Sequence, residues 1–295
     1  METILITGSS GFIGSNLIDL LKSKNKIIGI SNKNQKSEKN IIHKKIDLIK
    51  NDFKVNSKIS GIVHLAALSD VAYCNNNPKK CIDVNIMATE KILEFCRKKD
   101  SRMIFASSSH VYGNPKNIPI PESEELKPNS IYATSKIMGE KLCESYAKIY
   151  GMDITVLRFF SVFGPKSPPH NILNKIITNA LKNKPIVIGN LYPKRDFIYI
   201  DDVVKSIEIS LNSCKGFDIF NIGNEKSLSI KTICNNIEKI IGKKMTLISD
   251  EKLFRKNEVM EIRSQCKKIK SKLKWKPTIT VNEGLKKTIE YYKKF

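Results

Sequence analysis

Residues 3–14 read Thr3-Ile-Leu-Ile-Thr-Gly8-Ser-Ser-Gly11-Phe12-Ile13-Gly14. Thr3–Thr7 is short, apolar and β-branched, which predicts a buried strand. Beyond it Ile13, Leu17, Leu20 and Leu21 recur at helical spacing. Between strand and helix stand three glycines, the pattern that holds a pyrophosphate. Gly8 allows the turn, Gly11 lets backbone approach phosphate, and Gly14 lets the helix pack closely on the strand. Further strands are predicted at Lys26–Ile30, ahead of Asp47, and at Gly61–Ala67, Arg102–Ala106 and Ile154–Phe160. Helices are expected over Met87–Lys98 and Ile131–Tyr150. This alternation predicts an α/β chain, a doubly wound parallel sheet flanked by helices. The rhythm stops after Gly164-Pro165. The expected division is a dinucleotide-binding domain over 1–165 and a smaller, mainly substrate-binding lobe over 166–295, with segments around 196–225 returning to the first domain.

Composition narrows the function. At 295 residues the chain buries a full core. No run of 18 apolar residues predicts a membrane span, and the first residues enter a strand with no signal-peptide pattern. Seven cysteines (74, 81, 96, 143, 214, 234, 266) include no Cys-x-x-Cys pair, which points to a reducing cytoplasm and no metal site. The net charge of +22 raises nucleic-acid binding as a class. It is discounted, because only six of the 51 basic residues are Arg and the Lys are spread through the chain among Asn and Ile.

The stretch Asn129-Ser-Ile-Tyr132-Ala-Thr-Ser135-Lys136-Ile-Met-Gly139-Glu140 lies on the predicted helix that starts at Ile131. Four residues apart, Tyr132 and Lys136 share one helix face. A phenol ordinarily titrates near 10, and a neighbouring ammonium is expected to lower that value. An isolated Tyr-x-x-x-Lys is more often a buried Tyr with a Lys beside it. This one follows a dinucleotide-type loop, and the combination resembles the short-chain dehydrogenase/reductase superfamily. Pro128-x-Ser130-x-Tyr132-Ala133-x-Ser135-Lys136 is similar to its extended branch, the nucleotide-sugar epimerases and dehydratases. Gly-x-x-Gly-x-x-Gly spacing at 8–14 agrees, and ordered motifs extend the resemblance to about residue 292.

The resemblance implies a Rossmann-type first domain and a set of site residues. Ser108, aligned on Val111-Tyr112-Gly113, would take the catalytic Ser position beside Tyr132 and Lys136. Cofactor contacts would come from Gly8, Gly11, Phe12, Ile13 and Gly14, from Asp47-Leu48, from Leu65-Ala66-Ala67, from Asn85 as a brace, and from Phe159, Tyr132 and Lys136. After the second strand the usual ribose-binding acid is replaced by Ser31-Asn32-Lys33. The cofactor expected is NAD, with NADP admitted because Lys33 or Lys36 could pair with a 2′-phosphate. Substrate contacts implied are Asp70, Ser108, Asn171, Arg195 and Arg255, the last in an altered Arg255-Lys-Asn-Glu258 context. Ser161 stands where the epimerases carry Asn. His64 reads as structural. Ser109-His110 replaces the acid pair of sugar dehydratases, so elimination machinery is missing, and His110 reads as a bonded loop residue ahead of a proton shuttle.

The activity implied is a nucleotide-sugar 4-epimerase, most simply on a UDP-hexose, working through a 4-keto sugar. The alternative is an NADPH-dependent reductase of a nucleotide-linked keto sugar. A dinucleotide-sensing or RNA-associated binding protein is less favoured, because it has no need of Ser108, Tyr132 and Lys136 together. A homodimer through the helices near 88–98 and 131–150 is expected, with no nucleic acid and no membrane as partner.

Overall fold

The computed structural model describes residues 1–51, 54–254 and 258–294. Its strands are β1 (Thr3–Thr7), β2 (Lys26–Ser31), β3 (Ile41–Lys45), β4 (Gly61–His64), β5 (Arg102–Ser108), β6 (Ile154–Phe159), β7 (Ser161–Phe163), β8 (Ile186–Ile188), β9 (Lys194–Tyr199), β10 (Phe217–Ile222), β11 (Ser227–Ser229), β12 (Leu247–Ser249) and β13 (Glu261–Ile262). The helices are α1 (Phe12–Leu21), α2 (Val71–Asn76), α3 (Pro78–Ile82), α4 (Ala88–Lys99), α5 (Ile131–Tyr150), α6 (Ile172–Leu181), α7 (Ile200–Ser213), α8 (Ile230–Ile241), α9 (Lys267–Leu273) and α10 (Val281–Tyr292).

Seven parallel strands form the main sheet in the order β10-β6-β5-β4-β1-β2-β3. The chain thus returns to this sheet at β10, after β7–β9 have been laid down elsewhere. Central strands are mostly apolar because helices cover both faces, and β6 is buried at every position, Arg158 included. One core gathers Ile4, Ile6, Leu17 and Val63 with α7 and the C-terminal elements. The other gathers Leu5, Ile28, Ile62, Phe105 and Val156 under α4 and α5. The order reverses between β1 and β4, and the crevice above that switch is where ligands bind in open α/β sheets.

A second sheet centres on β9, paired with β7, β11 and β13, while β8 and β12 form a separate pair. Two buried carboxylates knot this region. Asp196 accepts from the backbone N–H of Asn224, Glu225 and Ser264, and Asp202 accepts from Thr278 and Ile279. Trp275 is buried and donates to the Asp202 carbonyl, a packing role.

Helix α5 begins where the pattern placed it, capped by the Ser130 hydroxyl on the Ala133 N–H, and ends at a left-handed Gly151. The segment 114–128, rich in prolines and acids, is pinned to the fold instead of lying free as a surface loop. Ile120 is fully buried and bonded to Arg263 and Gln265, and the Glu124 carboxylate accepts from Lys116 and Asn117. Among the described residues no helix is long and apolar enough to cross a membrane, and no cluster of three metal-type ligands occurs. Cys74 and Cys81 are buried free thiols that pack with Tyr132.

Candidate active site

The glycine loop sits at the switch point and fits a pyrophosphate. Gly8 has φ of +69°, which favours glycine, and a Cβ there would lie 2.9 Å from the Ala66 nitrogen. A Cβ on Gly14 would stand 2.3 Å from the Gly8 carbonyl oxygen, so the helix reaches the loop only as glycine. Gly11 is the N-cap of α1 with no side chain to cap it, and no acid occupies the first turn. The start of the helix, from Phe12 and Ile13 onward, is therefore an anion-receptive end.

Around the loop stand most of the expected cofactor residues. Thr7 Oγ1 accepts from the Ala66 N–H and bonds His64 Nδ1 at 2.7 Å, and His64 Nε2 lies 3.0 Å from Thr89. Burial holds His64 far below its ordinary value, at about 3, so it is a neutral connector. Asn85 accepts from the Leu68 N–H at 2.8 Å and donates to Leu68 O and to Ser135 Oγ, which ties Leu68, the residue after the Leu65-Ala66-Ala67 tip, to α5. Phe159 pairs with Ser108 across neighbouring strands.

On the ribose side Ser31 is buried, accepting from the Lys33 N–H and donating to the Lys33 carbonyl, while Asn32, Lys33 and Lys36 are exposed. Gln35, absent from the sequence-based set, accepts from Ser9 Oγ at 2.9 Å and so joins the glycine loop to the end of β2. Its signal is only a polar residue four beyond the strand end. Asp47 caps the turn after β3 by accepting from Ile49 and Lys50, and Leu48 is buried in the core. Replacing Ser31 by Asp is expected to raise NAD-over-NADP preference about tenfold, as a carboxylate repels the 2′-phosphate and accepts from the ribose. Paired dissociation constants for the two dinucleotides check this, and an unmoved ratio would show that position 31 does not read the 2′ group.

Ser108, Tyr132 and Lys136 converge at the C-terminal end of β5. The Ser108 hydroxyl faces the Tyr132 phenol and accepts from the His110 N–H at 3.3 Å. Lys136 Nζ donates to the Ala106 carbonyl at 2.9 Å and lies 6.0 Å from the Tyr132 ring centre. Here the expected electrostatics are corrected. Burial pushes the Tyr132 phenol up to about 12, opposed by the Ser108 hydroxyl, and Lys136 is not what shifts it. Burial likewise lowers Lys136, to about 8. In the protein alone desolvation disfavours the phenolate, and the Lys136 ammonium is bonded to the Ala106 carbonyl instead of the phenol. His110 meets the Tyr132 ring edge-on at 5.7 Å between centroids.

The expected substrate contacts are more dispersed. Asp70 is half-buried and caps α2 by accepting from the Tyr73 N–H. Asn171 caps α6 through Leu173 and donates to Val162 O, leaving one amide hydrogen for a ligand. Arg195 on β9 is half-buried, donating to Glu258 at 2.9 Å and to the Val259 carbonyl at 2.8 Å. Arg255 lies outside the described residues.

The sequence profile of the NAD dependent epimerase/dehydratase family matches residues 4–223. The chain belongs to this family. Its relatives in the epimerase/dehydratase family include the UDP-glucuronate 4-epimerase of Thermodesulfobacterium geofontis, 33% identical, with 99% of this chain and 97% of that protein covered. Among solved structures, the Bacillus cereus UDP-glucuronic acid 4-epimerase in complex with UDP-glucuronic acid and NAD superposes with a TM-score of 0.91 at 29% identity over 99% of both chains. The Thermotoga maritima UDP-glucose 4-epimerase with UDP-glucose gives 0.89 at 27% identity, again over 99% of both.

Proposed function

We propose that the chain is an NAD-dependent 4-epimerase of UDP-hexoses. The observation that carries this reading is the contact between Ser108 and Tyr132 beside a glycine loop shaped for a dinucleotide, in a chain that spans its 4-epimerase relatives almost end to end. Gly8, Gly11 and Gly14 would hold the pyrophosphate, and Lys136 would hold the nicotinamide ribose. When bound, NAD supplies the acceptor that takes the C4 hydrogen as hydride and gives it back.

The chain's own residues then have defined work. Tyr132 takes the proton of the 4-hydroxyl as that hydroxyl becomes a ketone, and returns it when the alcohol re-forms. Its high pKa keeps the proton on the phenol until positive charge enters the cleft, so protein burial and cofactor charge act in opposite directions on one group. Ser108 donates to the same substrate oxygen. The 4-keto sugar turns over between the two transfers, which requires the diphosphate to be held while the hexose is free to rotate. Arg195 and the remaining amide hydrogen of Asn171 suit that grip, since a guanidinium fork matches phosphate oxygens.

The test is direct: purified protein with a small amount of NAD is given UDP-glucose or UDP-glucuronate, and C4 inversion is followed by NMR. Interconversion with substoichiometric NAD supports the reading; a requirement for one reduced dinucleotide per turnover would replace it with a reductase. For the grip, Arg195→Ala is expected to weaken UDP binding by about 2 kcal/mol, the magnitude of a charge-assisted hydrogen bond. Calorimetry with UDP decides, and unaltered affinity would remove Arg195 from the phosphate site.

We further propose a homodimer formed by the outer faces of α4 and α5. Met87, Met138, Ile149 and Tyr150 leave apolar surface exposed there. Light scattering that returns a monomer across the micromolar range would count against it.

A further inference from the structure

We propose that Ser107, Glu140 and Arg158 form a buried brace that positions Ser108 against Tyr132, an inference that rests on the epimerase reading above. Three consecutive residues at the end of β5 are joined to three successive turns of one face of α5. Ala106 accepts from Lys136, Ser107 donates its hydroxyl to Glu140 Oε1, and Ser108 faces the Tyr132 phenol. Tyr132, Lys136 and Glu140 are each four residues apart, so they stack along the helix. The catalytic contact is thus the last rung of a ladder whose other two rungs carry no reacting group.

Arg158 locks that ladder from the neighbouring strand. It is the register partner of Ser107 on β6. Its Nε and Nη2 grip the two Glu140 oxygens at 3.0 and 2.7 Å, and both side chains are 3% exposed. Its Nη1 donates to the Tyr112 hydroxyl at 2.9 Å and to the Glu122 carbonyl at 3.0 Å. Tyr112 ends the short 3-10 turn that begins directly after Ser108, and its hydroxyl donates onward to Asn221 on β10 at 2.6 Å. Ser108 is therefore held from both sides in the chain: the residue before it by Glu140, the residue four after it by Arg158.

The chemistry of the pair says why it is a brace and not only packing. A buried ion pair desolvates both partners, and apolar side chains of equal volume stabilise a fold as well or better. What the guanidinium–carboxylate fork has that an apolar pair lacks is direction, since two parallel hydrogen bonds fix both planes. Direction matters at this place because a misplacement of about 1 Å at a reacting pair costs on the order of a hundredfold in rate.

Ser107→Ala separates positioning from stability. It removes only the hydroxyl between β5 and Glu140, whose Oε1 keeps its bond to Arg158. The expected result is a fall in kcat of about tenfold, KM for the UDP-hexose within about twofold, and a melting temperature close to that of the unaltered protein. The acid limb of the kcat–pH profile should move to higher pH, because a displaced Ser108 no longer lowers the Tyr132 pKa. Ser107→Thr, which keeps the hydroxyl, should restore both kcat and the profile. The brace is overturned by an unchanged kcat, by a loss of kcat with an unshifted profile, or by failure of the Thr variant to rescue. If the unaltered protein inverts no UDP-hexose, the epimerase reading fails by itself. Hydrogen exchange at residues 106–112 then tests the brace without turnover: faster exchange in Ser107→Ala supports it, and equal rates refute it.

Discussion

Tyr132→Phe is expected to lower epimerase turnover by about three orders of magnitude while leaving NAD affinity within about twofold. The phenol is 8% exposed and faces Ser108, so Phe fills the same space and removes only the oxygen that carries the proton. General acid–base groups are worth roughly 10² to 10⁴ in rate, and here one oxygen serves both directions of proton transfer, which favours the upper part of that range. The pH dependence follows from the raised pKa. Below it the phenol holds its proton and cannot accept another, so kcat of the unaltered enzyme should rise with pH until the phenolate form saturates. The residual rate of the Phe variant should lack that rise. Stopped-flow turnover and calorimetry with NAD make the check; loss of NAD binding in step with turnover would mean that Tyr132 holds the dinucleotide instead of moving a proton.

Arg158→Ala is expected to be among the most destabilising single changes in the chain, by about 3–5 kcal/mol. Removing the guanidinium leaves the Glu140 carboxylate buried at 3% exposure with its two charged bonds gone, and takes one donor each from the Tyr112 hydroxyl and the Glu122 carbonyl. Changing both partners to Met should recover much of the lost stability, because no charge then remains in the core. Urea denaturation of the single and double variants measures this. A single variant that loses less than about 1 kcal/mol would show that water reaches Glu140 and that the pair is not the closed network described.

These two residues differ in how far the sequence announced them. Tyr132 and Lys136 were readable because the helix period places them on one face and the glycine loop supplies a reason for them to be there. The strand–glycine–helix unit at 3–21 was readable on the same grounds, since its physics is local. Glu140 and Arg158 are 18 residues apart on different elements, and Tyr112 and Asn221 are 109 apart. No periodicity joins them, so the network becomes visible only when the strands are laid side by side. Arg195 shows an intermediate case: its residue type pointed to phosphate, but not to the Glu258 carboxylate that shares its fork. The direction of the Tyr132 shift was misjudged for a related reason. Helix spacing puts an ammonium near a phenol, whereas the depth of burial and the Ala106 carbonyl that captures Lys136 are properties of the packed sheet.

The central claim is that hydrogen leaves C4 of a UDP-hexose and returns to the same carbon on the other face. A substrate carrying deuterium at C4, incubated with the protein and substoichiometric NAD, tests it in one NMR experiment. The account predicts a 4-epimer that keeps its deuterium at C4, with no build-up of reduced dinucleotide. Inversion with the label lost to water, or no inversion of any UDP-hexose in the NAD-loaded protein, would contradict it.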